Sequence, residues 1–417
     1  MKQRWLEAGK NLLIVLLLCS AALLTLYITN PGPFAQLPGV RRVAAALGSA
    51  PQTLPQLETR QAAAVEAVRP TVLSVSTENG RVTAQYDTAA SDAMYEALGR
   101  FLGEALGTAQ EAAACPRTQW TAALSGPGLF YGFPGTVSLS ALADWLDADG
   151  SRLSGQARAF AVYPEDEAVS LLIFTAADCF RCSTQVSAEA LAQALEGYGA
   201  DGSLFAFEGA ADFPQLAGLD PLCLICMGSP AVPAVTAQSS LNVERTAVRL
   251  GFNPYNGTSY TTTDGQRVFS ESGSRLVISG SRLTYSPTAL SAPSGSDTDL
   301  IETARSLLEE LVGGDVGAGR LYLTDVSHAG NQTTLTFSYL VWGIPVELSG
   351  GCGASALFTG QSLTTLQAEG VTFTLGDTMQ SMMPALQAAA LAGSGARLEL
   401  AYLQAGDSLQ CGWQSVN

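Results

Sequence analysis

The 417-residue sequence holds one histidine, His328, and two lysines, Lys2 and Lys10. A single imidazole excludes sites built from several histidine ligands and leaves little room for histidine-dependent acid–base catalysis. Only 14% of the side chains are charged, and 37 acidic against 21 basic residues give a net charge of -16. No cluster of arginine or lysine offsets this. A nucleic-acid partner is therefore excluded, because phosphate neutralisation needs concentrated positive charge. No G-x-S-x-G nucleophile motif occurs. The stretch from Gly314 to Leu321 imitates a P-loop, but the Lys and Ser/Thr are missing and a helix precedes it. Glu165-Asp166-Glu167 lacks the spaced ligands and glycine of a calcium loop and reads as a solvated turn. His328, within Ser-His-Ala-Gly-Asn, reads as an exposed hairpin-turn residue. No catalytic residue and no cofactor site is assigned.

What the chain does have is apolar surface: 47% of its residues are hydrophobic, which excludes general disorder and suffices for several buried cores. The strongest signal is N-terminal. Residues 1–10 carry net +2 (Lys2, Arg4 and Lys10 against Glu7), leaving -18 for the remainder. No charge lies between Lys10 and Arg41, and Leu12–Ile28 is apolar apart from Ser20 and Thr25. At 1.5 Å per residue these residues span roughly 25 Å, about the thickness of a bilayer core. The positive flank keeps residues 1–10 in the cytoplasm and places the bulk of the chain outside the cell membrane. The apolar run exceeds a usual signal-peptide core and no small-x-small site follows closely, so we read an uncleaved single-pass helix over 11–29. Ser20, Ala21 and Ala22 are small enough for close helix–helix approach or are ordinary membrane filler.

Residues 30–55, rich in Pro, Gly, Ala and Gln, read as a stalk. An N-terminal α+β domain follows over 56–235. It begins with a hairpin about Asn79-Gly80 and a helix over about 91–112, in which Met94, Leu98, Phe101, Leu102 and Ala105 recur at helical spacing. A middle domain over 236–290 has a helix at 243–250 and then four short strands. The segment ALSAPSGSDT (289–298) reads as a linker. A C-terminal domain over 299–417 repeats the order of helix, meander and helix. The expected fold class is α+β, with antiparallel meanders and helices packed on one sheet face.

Eight cysteines need an account. Cys19 lies in the membrane segment. Cys179-x-x-Cys182 and Cys223-x-x-Cys226 are two pairs with 40 residues between them. Four such thiolates suit tetrahedral zinc, although the usual ribbon gap is about 15–20 residues. On a strand, moreover, Cys223 and Cys226 would face opposite sides. Disulfides between the pairs, buried free thiols, a zinc site and a thiol-redox site all stay open. Cys352 and Cys411 are a candidate pair, and Cys115 has no evident partner.

In the C-terminal half, FSYLVWGIPVE (Phe337–Glu347) is followed by LQAAALAGSGARLELAYLQAG (Leu386–Gly406) and by Trp413. In the N-terminal half, GLFYGFPGTVSLSALADWL (Gly128–Leu146) reads as a phe-pro strand with a short helix. Together these resemble the YycH and YycI proteins, membrane-anchored accessory regulators of an essential cell-wall-sensing histidine kinase in Gram-positive bacteria. Leu398, Leu400 and Tyr402 match the family's leu-x-leu-x-tyr strand. The closing strand departs from the pattern, since Cys411-Gly412-Trp413 has cysteine where the family has proline. Chain length and element order fit YycH better than the shorter YycI. The resemblance implies a non-enzymatic regulator in cell-envelope signalling. Its partner would be a sensor histidine kinase, with room for a second YycH- or YycI-like protein. The alternative is an envelope zinc-binding or thiol-redox protein using Cys179, Cys182, Cys223 and Cys226.

Overall fold

The computed structural model describes residues 65–66, 69–148, 153–255, 259–406 and 408–416. The cytoplasmic tail, membrane helix and stalk expected over 1–55 lie outside these residues. Among the described residues, no helix is long and apolar enough to cross a membrane. The fold is α+β and mostly sheet, with antiparallel meanders and eight α-helices among the described residues. The first strand, β1 (Val65–Glu66), belongs to the second of two large sheets.

Apolar–polar alternation around Asn79-Gly80 gives the expected hairpin, β2 (Val72–Thr77) and β3 (Gly80–Ala84). Helix α1 (Thr88–Thr108) follows, capped by the Asp87 side chain, which accepts from the Ala90 N–H at 3.0 Å. Then come β4 (Gln110–Ala114), α2 (Arg117–Ser125), β5 (Gly128–Ser138) and α3 (Leu139–Trp145). Strands β6 (Gln156–Glu165), β7 (Ala168–Phe174) and β8 (Cys179–Ser187) lead to α4 (Ala188–Leu195). The short elements β9 (Leu204–Phe205), α5 (Ala206–Gly209) and β10 (Leu224–Ile225) end this half. The first sheet is antiparallel throughout, in the order β3-β2-β5-β6-β7-β8-β4.

The expectation of helices on one face fails for this sheet. In β7, Leu171 and Ile173 point to one core while Leu172 and Phe174 point to the other. A strand apolar at successive positions needs cover on both faces. Helices α1, α3 and α4 supply it on the first face, through Phe101, Leu142 and Leu191 among others. On the second, Trp120 and Leu124 of α2 and Phe205 of β9 do so, with Trp120 edge-on to Phe174. Buried Arg81 ties the second layer together. Its guanidinium donates to both carboxylate oxygens of Glu208 and to the Leu124 carbonyl, and packs over the Phe205 ring.

The remaining chain builds one sheet of fourteen strands. It starts with β11 (Ala231–Ser239), α6 (Val243–Arg249), β12 (Ser259–Thr261), β13 (Arg267–Glu271), β14 (Ser274–Ser279) and β15 (Arg282–Ser286). Helix α7 (Asp297–Leu311) leads into β16 (Gly319–Ala329), β17 (Gln332–Val341), β18 (Ile344–Glu347), β19 (Ala354–Thr359), β20 (Ser362–Glu369) and β21 (Val371–Ser381). Helix α8 (Ala385–Ala389), β22 (Arg397–Ala405) and β23 (Ser408–Val416) complete it. The main path runs β12-β13-β14-β15-β20-β19-β17-β18-β22-β23-β11-β21, and β16 joins β17 to β1. Only β1–β16 and β18–β22 are parallel.

This sheet crosses the boundaries expected from sequence. Strand β15 pairs with β20, so the segments 236–290 and 299–417 share one sheet and one core. The expected linker is held to it: the Ala292 N–H donates to the Gln361 carbonyl and the Leu363 N–H to the Leu290 carbonyl, at 2.9 and 2.8 Å. Strand β1, expected in the N-terminal domain, and β11, which straddles that domain's expected end at residue 235, pair in this second sheet as well. Small side chains explain the misreading. A Ser/Gly/Pro-rich segment looks like a linker, yet its backbone amides still need partners when they lie against a sheet.

The two sheets meet at facing irregularities. The β5–β6 ladder breaks between Gly132 and Val137, and the β16–β17 ladder between Leu323 and Asp325. Gly135 of the first break lies against the Thr324 backbone of the second, so closely that no Cβ fits between them. Beside it, the Thr136 hydroxyl donates to the Asp325 carboxylate at 3.0 Å, and the Gln156 amide donates to the Val326 carbonyl. Each bulge removes a strand from its own ladder and re-aims it at the other sheet.

Candidate functional site

A cavity of about 100 Å³ lies beside this seam, between β5 and β6 on one side and β18 and β22 on the other. Its polar wall includes Gln85, Tyr86, Arg158, Arg397 and Glu399, and Cys223 borders it. Tyr86 follows β3 in the left-handed region, at φ 60°. A bulky side chain rarely adopts this conformation, and here it turns the ring toward the second sheet. The Leu400 N–H donates to the Tyr86 hydroxyl at 3.2 Å, and Trp413 stands edge-on to the Tyr86 ring. Arg158, on β6, forms an ion pair with Asp220. Its Nε and the Gln85 Oε1 are buried, and neither has a hydrogen-bond partner among the described residues. One donor and one acceptor are thus left unpaired within residues that line one cavity.

The same wall does not suit nucleophilic chemistry. Burial pushes the Cys223 thiol up to about 11, so at neutral pH it stays protonated and donates to the Leu398 carbonyl at 3.5 Å. Burial also holds the Tyr86 hydroxyl well above the ordinary phenol range and raises the Glu399 carboxyl, against the opposing charge of Arg397. Cys223 and Tyr86 therefore keep their protons across the neutral range.

The four cysteines of the two C-x-x-C pairs are not brought together. Cys179 and Cys182 sit three residues apart on β8 and enter opposite cores of the first sheet, as strand alternation dictates. Cys223 packs in a separate cluster with Leu398 and Ala385, and Cys226 is half-buried. Among the described residues, no group of three or more His, Cys, Asp or Glu side chains is placed to hold a metal. The seven described cysteines are free thiols. Exposure therefore ranks their reactivity: Cys352 is exposed, whereas Cys182 and Cys223 are 1% and 6% exposed. In native protein at neutral pH, iodoacetamide should label Cys352 first and leave Cys182 and Cys223 unmodified, as read by peptide mass mapping. Prompt labelling of Cys223 would mean that the seam opens freely.

His328 lies at the end of β16 rather than in the turn itself. Its Nδ1 is 3.2 Å from the Thr333 hydroxyl and its Nε2 is 3.4 Å from the Asp297 carboxylate, and the ring is half-exposed. Tyr402, the last residue of the family-like strand, is fully buried and donates to the Pro233 carbonyl at 2.8 Å, joining β22 to β11.

Sequence reasoning missed a second cluster. Glu66 of β1, Arg69, Asp92 of α1 and Arg320 of β16 form a largely buried ionic group across the seam. Asp92 is 2.8 Å from Arg69 and 3.1 Å from Arg320, and Glu66 is 3.9 Å from Arg320. Burial raises the Glu66 carboxyl to about 7, against the lowering pull first of Arg69 and then of Arg320. No motif announces it, because Glu66 and Arg69 share one stretch of chain while Asp92 and Arg320 come from two others. Only the scarcity of charge in the sequence hints that a charged residue inside an apolar stretch, such as Glu66 in AAAVEAV, has a partner.

No protein-family model matches the chain, and no curated protein matches it. Among solved structures, an uncharacterized protein from Eubacterium rectale ATCC 33656 is similar over 44% of this chain and 76% of its own, at 12% identity. Its TM-score of 0.26 is too low to carry a fold or a function across.

Proposed function

We propose that the chain is a non-enzymatic, membrane-anchored regulator on the outer side of the cell membrane, acting on a two-component sensor histidine kinase. One observation carries the reading: a charge-free apolar run, Leu12–Ile28, follows a basic flank and precedes a remainder of net charge -18. Such a chain is tethered with its acidic part outside. The resemblance of Phe337–Glu347, Leu386–Gly406 and Gly128–Leu146 to YycH-like proteins supports the kinase partner. The described helices and strands add a surface for contact, with proton-holding rather than proton-transferring groups in the seam cavity. A regulator of this kind needs only a differential affinity for two kinase states, supplied by its membrane helix, by its outer part or by both.

The test is crosslinked capture of the tagged full-length protein from native membranes, with mass spectrometry of what it holds. A variant with residues 12–28 scrambled at constant hydrophobicity is run alongside. Recovery of a histidine kinase that is lost in the variant is the expected result. Capture of no kinase by either protein would end the reading.

A further inference from the structure

Cys115, left without a partner by its place in the sequence, has one in the fold. The β4–β8 ladder pairs Ala113 with Arg181 and Ala114 with Phe180, and one more step sets Cys115 opposite Cys179. The ladder hydrogen bond continues there, with the Cys115 N–H donating to the Cys179 carbonyl at 2.8 Å. Both side chains enter the same core, so they lie on the same face of the sheet. The two thiols perturb one another, and each lies against a neighbouring carbonyl: the Cys115 sulfur is 4.0 Å from the Pro116 oxygen and the Cys179 sulfur 3.9 Å from the Phe180 oxygen. Residues directly opposite on antiparallel strands hold their Cβ atoms about 4.5–5.5 Å apart, and a disulfide needs about 3.5–4.5 Å. The difference is small, and β4 has room to close it. It is the last strand of its sheet, its register already shifts between Gln110 and Ala113, and Ala112–Ala114 are exposed.

We propose that Cys115 and Cys179 are a redox pair that closes to a disulfide under oxidising conditions, locking the edge of the first sheet. The oxidant is a disulfide-bearing donor. The Cys115 thiolate attacks one sulfur of the donor, forming a mixed disulfide and releasing one donor thiolate. The Cys179 thiolate then attacks the Cys115 sulfur and releases the second. The two protein thiol protons pass, by way of solvent, to the two released donor thiolates, so the protein pair is oxidised by two electrons and the donor is reduced to two thiols with no net release of protons. Cys115 acts first because it is buried only at the end of an edge strand whose preceding residues, Ala112–Ala114, are exposed; burial raises its thiol, and the Cys179 thiol and the Arg181 charge oppose that rise. Burial holds Cys179 higher, so it serves as the resolving thiol. The bond fixes the entry to α2, because Cys115 immediately precedes Pro116, the residue that starts that helix. It also links two positions far apart in sequence, which stabilises by restricting the unfolded chain. None of the three other pairings of Cys179 weighed from sequence shares a core with it: Cys182 lies in another, as does Cys223, and Cys226 in none.

The pairing rests on strand register alone; its occurrence in the cell rests on the extracytoplasmic reading above. The purified full-length protein is incubated with oxidised glutathione, alkylated and mapped by mass spectrometry. The expected product is a Cys115–Cys179 cross-linked peptide, two hydrogens lighter than the reduced pair. The melting midpoint should rise by several degrees on oxidation in the parent and not in Cys115→Ser. Stable glutathione adducts on Cys115 with no cross-link, or a cross-link from Cys179 to Cys182, Cys223 or Cys226, would overturn the pairing. The same map on protein alkylated in intact cells separates the two readings. A cross-link that forms with glutathione yet is absent from cells upholds the pair and counts against the oxidising compartment.

Discussion

Gly135→Ala is expected to destabilise the protein by about 3 kcal/mol or more, an unusual cost for one added methyl group. The new Cβ would fall inside the Thr324 carbonyl, so no side-chain rotation relieves it. The backbone of β16 is itself fixed there. The Thr324 hydroxyl is 3.2 Å from the Thr336 carbonyl and 3.1 Å from the Ser338 hydroxyl, both on β17. Either the two sheets separate or the bulge in β5 rearranges, and both routes open the cavity that Gly132, Phe133 and Pro134 help to line. Gly412→Ala is the matched control. Gly412 also lies in a strand, and a Cβ there meets nothing within 4 Å. Urea denaturation of both variants measures the difference. Equal midpoints for Gly135→Ala and the parent would show that the seam is looser than its geometry implies. Faster alkylation of Cys223 in Gly135→Ala would place the effect at the seam rather than in either core.

That seam shows what local sequence patterns convey and what they do not. The hairpin at Asn79-Gly80, the helix carrying Leu98, Phe101 and Leu102, and the strands about Phe337 and Leu398 are local features with clear period or turn chemistry. All were legible. Strand β4 was not, since Gln110–Ala114 is mostly alanine and has no alternation to read. Helix α2, with one fully buried residue, Leu124, offers no stripe either. Strand β8 was not legible either, because a C-x-x-C pair suggests a motif more strongly than it suggests a strand. Its pattern does alternate once Cys179 is set aside, with Cys182, Thr184 and Val186 buried. The domain boundaries failed for a different reason: pairing of β15 with β20 and of β1 with β16 is long-range, and no window of sequence contains both partners. The candidate site is of the same kind. Gln85, Tyr86, Arg158 and Glu399 come from three separate stretches and share a cavity only because two ladders break at facing positions.

Stability should fall as the pH rises from about 4.5 through about 7, with Glu66 as the main cause. Its carboxyl moves from an ordinary 4.5 to about 7 in the fold, so between those values the folded protein holds a proton that the unfolded chain has released. The stabilisation is complete below about 4.5, declines as the pH rises through about 7 and is gone above it. The size of the shift corresponds to about 3 kcal/mol over the whole window. The cause is burial: Glu66 is 8% exposed, and its nearest cation is 3.9 Å away, while Asp92 holds both Arg69 and Arg320 more closely. Ionising Glu66 therefore places a charge in the seam that neither arginine is free to neutralise in full. Glu66→Gln keeps the shape and removes the titration. Its urea stability should stay flat where the parent declines, match the parent near pH 5 and equal or exceed it near pH 8. If parent and variant decline with the same slope, Glu66 is ionised in the fold throughout, and the arginines carry it. If the predicted difference appears, β1 is released most easily at alkaline pH. Its parallel pairing with Leu321 and Tyr322 of β16 is short, and its own glutamate then acquires a poorly paired charge.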